Sequence, residues 1–273
     1  QMKPTHLEAL ICCDLIEGLY AVLSSWEDAG RPREGDASWK WTHPLIWGEA
    51  MSYERRPGPR DRYHWVREWA PMATVFVMSR TLYIAIRGTG TRHEWSNNAR
   101  FQQRKFAVDL ASGSYPMGQV HDGFLDSYES MREDIVEAVK ERTAEFDRVI
   151  VTGHSLGGAI ATLAYATIVT RFPLARVTQG VVFGCPRVGN SEFSMAFRTI
   201  GDVAGFWRYE LLHDPVVDLP PTNLFGLYSY KHVGESIILP RQFLNAAENH
   251  AISSYRKAIS EPPALQPRGS SLT

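Results

Sequence analysis

Residues 148–172 read RVIVTGHSLGGAIATLAYATIVTRF, a β-branched run that breaks at a serine set between glycines and continues as an alanine-rich apolar segment. Within it, Gly153-His154-Ser155-Leu156-Gly157 fits the pattern G-x-S-x-G. Three fixed positions are a weak filter, met by chance in ~10% of chains of this length. The flanks therefore decide. RVIVTG (148–153) predicts a short buried strand, and LGGAIATLAYATIVTRF (156–172) predicts a helix that opens with small residues. A serine on the tight turn between them presents its hydroxyl at the carboxyl end of a sheet strand. Glycines at 153 and 157 remove side chains that would clash with the neighbouring strand or helix, and the helix N-terminus favours developing negative charge. Ser155 reads as a nucleophile in this setting, against the plainer reading of a capping serine among packing glycines. The glycines do not serve a dinucleotide or a nucleotide phosphate, since G-x-G-x-x-G and the P-loop lysine are absent.

Outward from this stretch the pattern alternates. VTQGVVFG (177–184) and FWRYELL (206–212) read as strands, 190–200 and 250–260 as helices, and SYKHVGESIIL (229–239) as an edge strand. Upstream, TVFVMSRTLYIAIRG (74–88) reads as a hairpin about Ser79-Arg80. Residues 122–145 carry a helical apolar face of Phe124, Leu125, Tyr128, Met131, Ile135, Val136 and Val139. Residues 5–25 fit a first helix, and 26–70 read as irregular. Strand–helix alternation implies an α/β architecture, a mostly parallel twisted sheet with helices on both faces. A single domain over 1–260 is expected, with a helical and irregular part at 1–70 and a Pro/Ser-rich disordered tail at 261–273.

A serine hydroxyl needs a base, and the base a carboxylate. In chain order after the serine the acid precedes the histidine. Asp214 lies just past a strand end and is fixed by Pro215, with Asp218 as backup and Glu235 and Asp202 less well placed. Of the later histidines, His232 sits inside an apparent strand and His213 directly precedes the acid. His250, at a loop-to-helix junction late in the chain, is best placed to reach over the sheet. Ser155, Asp214 and His250 make the best-ordered set.

Composition narrows the rest. Net charge is −1 and 44% of residues are hydrophobic, so no nucleic-acid groove or anionic-membrane anchor is expected. No apolar run approaches the ~20 residues of a membrane span, and a soluble protein of undetermined oligomeric state is expected. Asp14 and Glu17 favour an amphipathic first helix over a signal-peptide core. Gln1 ahead of Met2 leaves both a cytoplasmic chain and a secreted one with its signal removed open. Cys12, Cys13 and Cys185 have no disulfide or zinc spacing and read as core thiols.

Seven blocks in one order then carry a resemblance: IAIRGT (84–89), VHDGF (120–124), VTGHSLGGAIA (151–161), FGCPRVGN (183–190), HDPVVDLPP (213–221), YKHVGES (230–236) and NHAISSY (249–255). Together they resemble the class 3 lipases, the α/β-hydrolase group of fungal triacylglycerol lipases and feruloyl esterases; the first ~70 residues show no such match. The resemblance implies an α/β-hydrolase fold and a carboxylic-ester hydrolase with Ser155 as nucleophile, Asp214 as acid and His250 as base. It further implies an oxyanion hole from Thr89 and the backbone N–H of Leu156, and no metal or organic cofactor. The expected partner is an ester or lipid substrate, met in transient contact with a lipid surface. A silent lipase-like binding protein and an acyltransferase using the same triad are the alternatives.

In that family a hinged lid follows R-G-T. The equivalent stretch, GTRHEWSNNARFQQRK (90–105), is a candidate lid whose apolar residues are Trp95, Ala99 and Phe101. Glu94 stands where the family carries an acid beside the lid tryptophan, and Asn97 or Asn98 replaces its later Asp. So polar a segment gains little from a lipid surface, which predicts weak interfacial activation and short- or medium-chain esters. The tryptophan-rich stretch 39–56, with Trp65 and Trp69, reads more readily as core packing than as a cap over a cleft.

Overall fold

The computed structural model describes residues 3–56, 62–89, 101–110, 112–172, 177–201, 205–224 and 226–261. The central sheet has the order β1-β2-β3-β6-β7-β8-β11. Strands β1 (Leu45–Arg56), β2 (Arg62–Met78) and β3 (Thr81–Ile86) form an antiparallel meander. β6 (Arg148–His154), β7 (Val177–Phe183), β8 (Phe206–Leu211) and β11 (Glu235–Leu239) add to it in parallel. Two small antiparallel pairs stand apart: β4 (Gln103–Leu110) with β5 (Gly113–His121), and β9 (Asn223–Leu224) with β10 (Tyr228–Ser229).

The strands alternate between two cores because successive side chains point to opposite faces. Leu82, Ile84, Ile86, Val149, Val151 and Val182 face one core. It is covered by α2 (Asp122–Glu129), α3 (Arg132–Glu141), α4 (Leu156–Arg171) and α5 (Ser191–Gly201). Tyr83, Ala85, Ile150, Val181 and Phe183 face the other. Ala9, Cys12, Cys13, Ile16 and Leu19 of α1 (His6–Asp28) cover it, with Tyr255, Ala258 and Ile259 of α7 (Ile252–Ser260) beyond the short α6 (Ala246–His250). A capping box opens α1: Thr5 Oγ1 accepts the Glu8 N–H, and Glu8 returns the bond to the Thr5 N–H.

The alternating pattern, the hairpin at Ser79-Arg80 and the apolar face of 122–145 all occur as expected. That face is buried throughout, although the helix breaks into α2 and α3 where the Ser130 hydroxyl donates to the Ser127 carbonyl. The expected edge strand 229–239 is two elements, β10 and β11. The stretch 26–70 is a correction, since it contains β1 and much of β2 rather than irregular chain. Two strands of 12 and 17 residues pair across the Pro-Gly-Pro at 57–59, and dense Trp, Arg and Glu blur the period-2 signal that short strands display. Trp47 is buried, edge-on to Trp26 and Trp39 at 6.2 and 6.1 Å. Trp41 and Trp69 are 39% and 46% exposed, so the core reading holds for part of this stretch; the Trp65 side chain lies outside the described residues.

Candidate active site

The turn after β6 places Ser155 at φ 58°, ψ −127°, a backbone state that a residue with a Cβ adopts only where its surroundings impose it. The surroundings are tight. A Cβ on Gly153 would lie 2.1 Å from the Gly157 carbonyl oxygen, and one on Gly157 would lie 2.3 Å from that of Ile86. Strand, turn and helix thus touch backbone to backbone, and Ser155 N–H donates to the Phe183 carbonyl at 3.0 Å. The serine hydroxyl is carried to the carboxyl edge of the sheet, and Leu156 opens α4, where the first amides of a helix lack intrahelical acceptors.

Three chain segments converge on this hydroxyl. The Ser155 Oγ lies 2.8 Å from His250 Nε2. The other ring nitrogen, Nδ1, is 2.9 and 3.0 Å from the two oxygens of Asp214. A carboxylate only accepts, so Nδ1 carries the proton and Nε2 is left to take one from the serine. Asp214 caps the 3₁₀ turn Pro215–Asp218 and accepts the Val216 N–H at 2.9 Å. Its second oxygen also accepts the Tyr255 hydroxyl at 2.5 Å. Burial first, then the Asp214 charge, pushes the Tyr255 phenol well up, so it remains a donor. The Asp214 side chain is fully enclosed, while that of His250 is 12% exposed. Gly184, at φ 53°, backs the pair: a Cβ there would lie 2.7 Å from Asp214 Oδ2 and 3.1 Å from His250 Nδ1.

The end of β3 closes the other side. A Cβ on Gly88 would lie 3.0 Å from the Ser155 Cβ, which sets half-buried Thr89 next along the chain from the serine. Phe101 is tied down: its carbonyl accepts the Tyr230 hydroxyl at 2.9 Å and its ring stands edge-on to His121. Trp95, Glu94, Asn97 and Asn98 lie outside the described residues, as does Asp202. Residues 103–105 of the candidate lid segment open β4.

The remaining candidates are engaged elsewhere. His232 donates Nε2–H to the Val217 carbonyl and is driven to about 3 by burial, aided by the Arg208 charge. Exposed Asp218 pairs with Arg187, and His213, at φ 63°, forms the turn into Asp214. The three cysteines are buried free thiols as expected, Cys12 and Cys185 pushed up to about 12 by burial. Among the described residues no cluster of His, Cys, Asp or Glu could hold a metal ion, and no helix is long and apolar enough to cross a membrane. Sequence reasoning missed Tyr255 and Gly184, although both stand in quoted blocks, because neither carries a reacting group.

A mostly parallel sheet, helices on both faces and a serine on the strand–helix turn define an α/β-hydrolase fold. The sequence profile of the class 3 lipases matches residues 83–224, half of the chain, and the protein belongs to that family. It is 35% identical over 159 residues to a secreted mono- and diacylglycerol lipase of Fusarium solani, covering 56% of this chain and 42% of that protein. A chloroplastic phospholipase A1 of Arabidopsis thaliana is 39% identical over 128 residues, covering 42% of this chain and 28% of that protein. Among solved structures, lipase II of Rhizopus niveus superposes with a TM-score of 0.52 at 30% identity, covering 61% of each chain. The chain spans less than half the length of the two curated relatives.

Proposed function

We propose that the protein is a serine carboxylic-ester hydrolase acting on acylglycerols or similar esters of short or medium chain, with residues 1–260 as one catalytic domain. The observation that carries this reading is the His250 ring, 2.8 Å from the Ser155 hydroxyl on one side and 2.9 Å from Asp214 on the other. In this reading Ser155 attacks the ester carbonyl as His250 takes its proton. Asp214 holds the imidazole in the tautomer that makes this transfer productive and stabilises the imidazolium. The N–H groups of Thr89 and Leu156, with the Thr89 hydroxyl, receive the oxyanion. His250 then protonates the leaving alcohol, and water repeats the sequence on the acyl-enzyme to release the acid. Relatives named for mono- and diacylglycerols and for phospholipids support a glycerol-borne ester. The polar stretch 90–105 supports shorter chains, since it offers little apolar surface to a lipid interface.

A p-nitrophenyl ester series from acetate to palmitate, run beside a phospholipid, tests the reading. Hydrolysis peaking at short or medium chains and falling by ~10⁶ in Ser155→Ala is expected. Folded protein that cleaves no ester, or a Ser155→Ala variant as active as the parent, would overturn it.

A further inference from the structure

Two groups outside the triad are arranged around it. His154, immediately before the nucleophile, is buried, and its ring lies 4.6 Å from that of His250, centroid to centroid. His154 Nε2 lies 2.6 Å from the backbone carbonyl oxygen of His250. That oxygen only accepts, so Nε2 carries the proton, and Nδ1 is placed to accept. Its partner is the Tyr20 hydroxyl at 2.8 Å, and the same phenolic oxygen receives the Gly88 N–H at 3.1 Å. On the far side of Gly88, its carbonyl accepts Nη1–H of buried Arg87 at 2.8 Å. The peptide unit is planar and trans, so fixing the Gly88 carbonyl also fixes the direction of the Thr89 N–H.

We propose that Tyr20 and His154 are positioning residues that hold the base loop and the oxyanion turn in register with the nucleophile. The relay runs from Gly88 N–H to the Tyr20 hydroxyl, on to His154 Nδ1, and from His154 Nε2–H to the His250 carbonyl. It joins the strand end before Thr89, the serine turn and the segment that carries the base. Tyr20 stands on α1, outside the residues matched by the family profile. α1 is seated against α7 by its apolar face and by Arg256 on Asp14, and against β6 by Arg148 on Glu8 at 2.6 Å.

This inference rests on the triad reading above, and steady-state hydrolysis of p-nitrophenyl butyrate by the full chain separates the two. Tyr20→Phe and His154→Leu should each lower kcat by about 10- to 100-fold, as loss of a supporting partner or a misplacement of ~1 Å does. KM should stay unchanged, because the lost contacts are within the enzyme. His154→Gln, which can still donate to the His250 carbonyl, should recover part of the His154→Leu loss. The double variant should be less impaired than the product of the single effects. Melting temperatures verify that each variant is folded; if His154→Leu is not, Tyr20→Phe and His154→Gln decide. Folded variants with unchanged kcat, or with losses confined to KM, overturn the positioning role. An unaltered protein that hydrolyses no ester overturns the triad reading and this inference together.

Discussion

At the residue scale the site depends on what is absent as much as on what reacts. Gly184 leaves room for the Asp214–His250 pair at a φ of 53°. Gly184→Ala would drive a methyl group to 2.7 Å from the Asp214 oxygen that the Tyr255 hydroxyl already holds, while the Val216 N–H ties down the other. The variant should lose about 10²-fold in turnover while still binding substrate, measurable as kcat and KM on a soluble ester; parent-like turnover would show that the pair tolerates displacement. The grouping of Ser155, Asp214 and His250 was legible in the sequence because the three follow a recognisable chain order and each occupies a recognisable turn. Tyr255, Tyr20 and His154 were not, because a group that acts by orienting another has no motif of its own. Their partners are 41 and 134 positions distant in the chain, and only folding brings them together.

At the element scale, the contact of β3, β6 and α4 sets where the serine points. Gly157→Ala would place a Cβ 2.3 and 2.5 Å from the carbonyl oxygens of Ile86 and Arg87. Backbone cannot yield as a flexible side chain does, so the helix would have to shift. A stability loss of about 1–3 kcal/mol or more is expected in chemical denaturation, and an unchanged midpoint would deny the close packing. The elements that the sequence revealed are the short buried strands and the apolar-faced helices, whose periods are clean. The long β1–β2 hairpin was hidden because its strands are longer than ordinary and rich in Trp, Arg and Glu. The stretch 90–105 has few apolar residues and should confer little activation, so activity on tributyrin should rise smoothly through the solubility limit. A sharp jump there would contradict this.

At the scale of the whole molecule, two histidines outside the triad, buried His121 and half-buried His232, link stability to pH. Burial holds His121 down to about 4, and burial with the Arg208 charge holds His232 down to about 3, against an ordinary imidazole value of 6.5. Both are neutral when folded, so the unfolded chain binds more protons below pH 6.5. Stability is therefore full above about 6.5 and declines as pH falls, to about 4 for His121 and about 3 for His232, by roughly 3 kcal/mol or more for each. Melting temperature should drop steadily over this window, and His232→Gln should flatten the slope; a melting temperature constant from pH 7 to 4.5 would contradict both assignments. Mass-spectrometric mapping of fluorophosphonate labelling on the folded protein tests whether Ser155 is the nucleophile. One adduct is expected, on the peptide carrying Ser155, absent in Ser155→Ala and formed far more slowly in His250→Ala. A folded protein that stays unlabelled, or one labelled at another residue, would show that Ser155 is not the nucleophile.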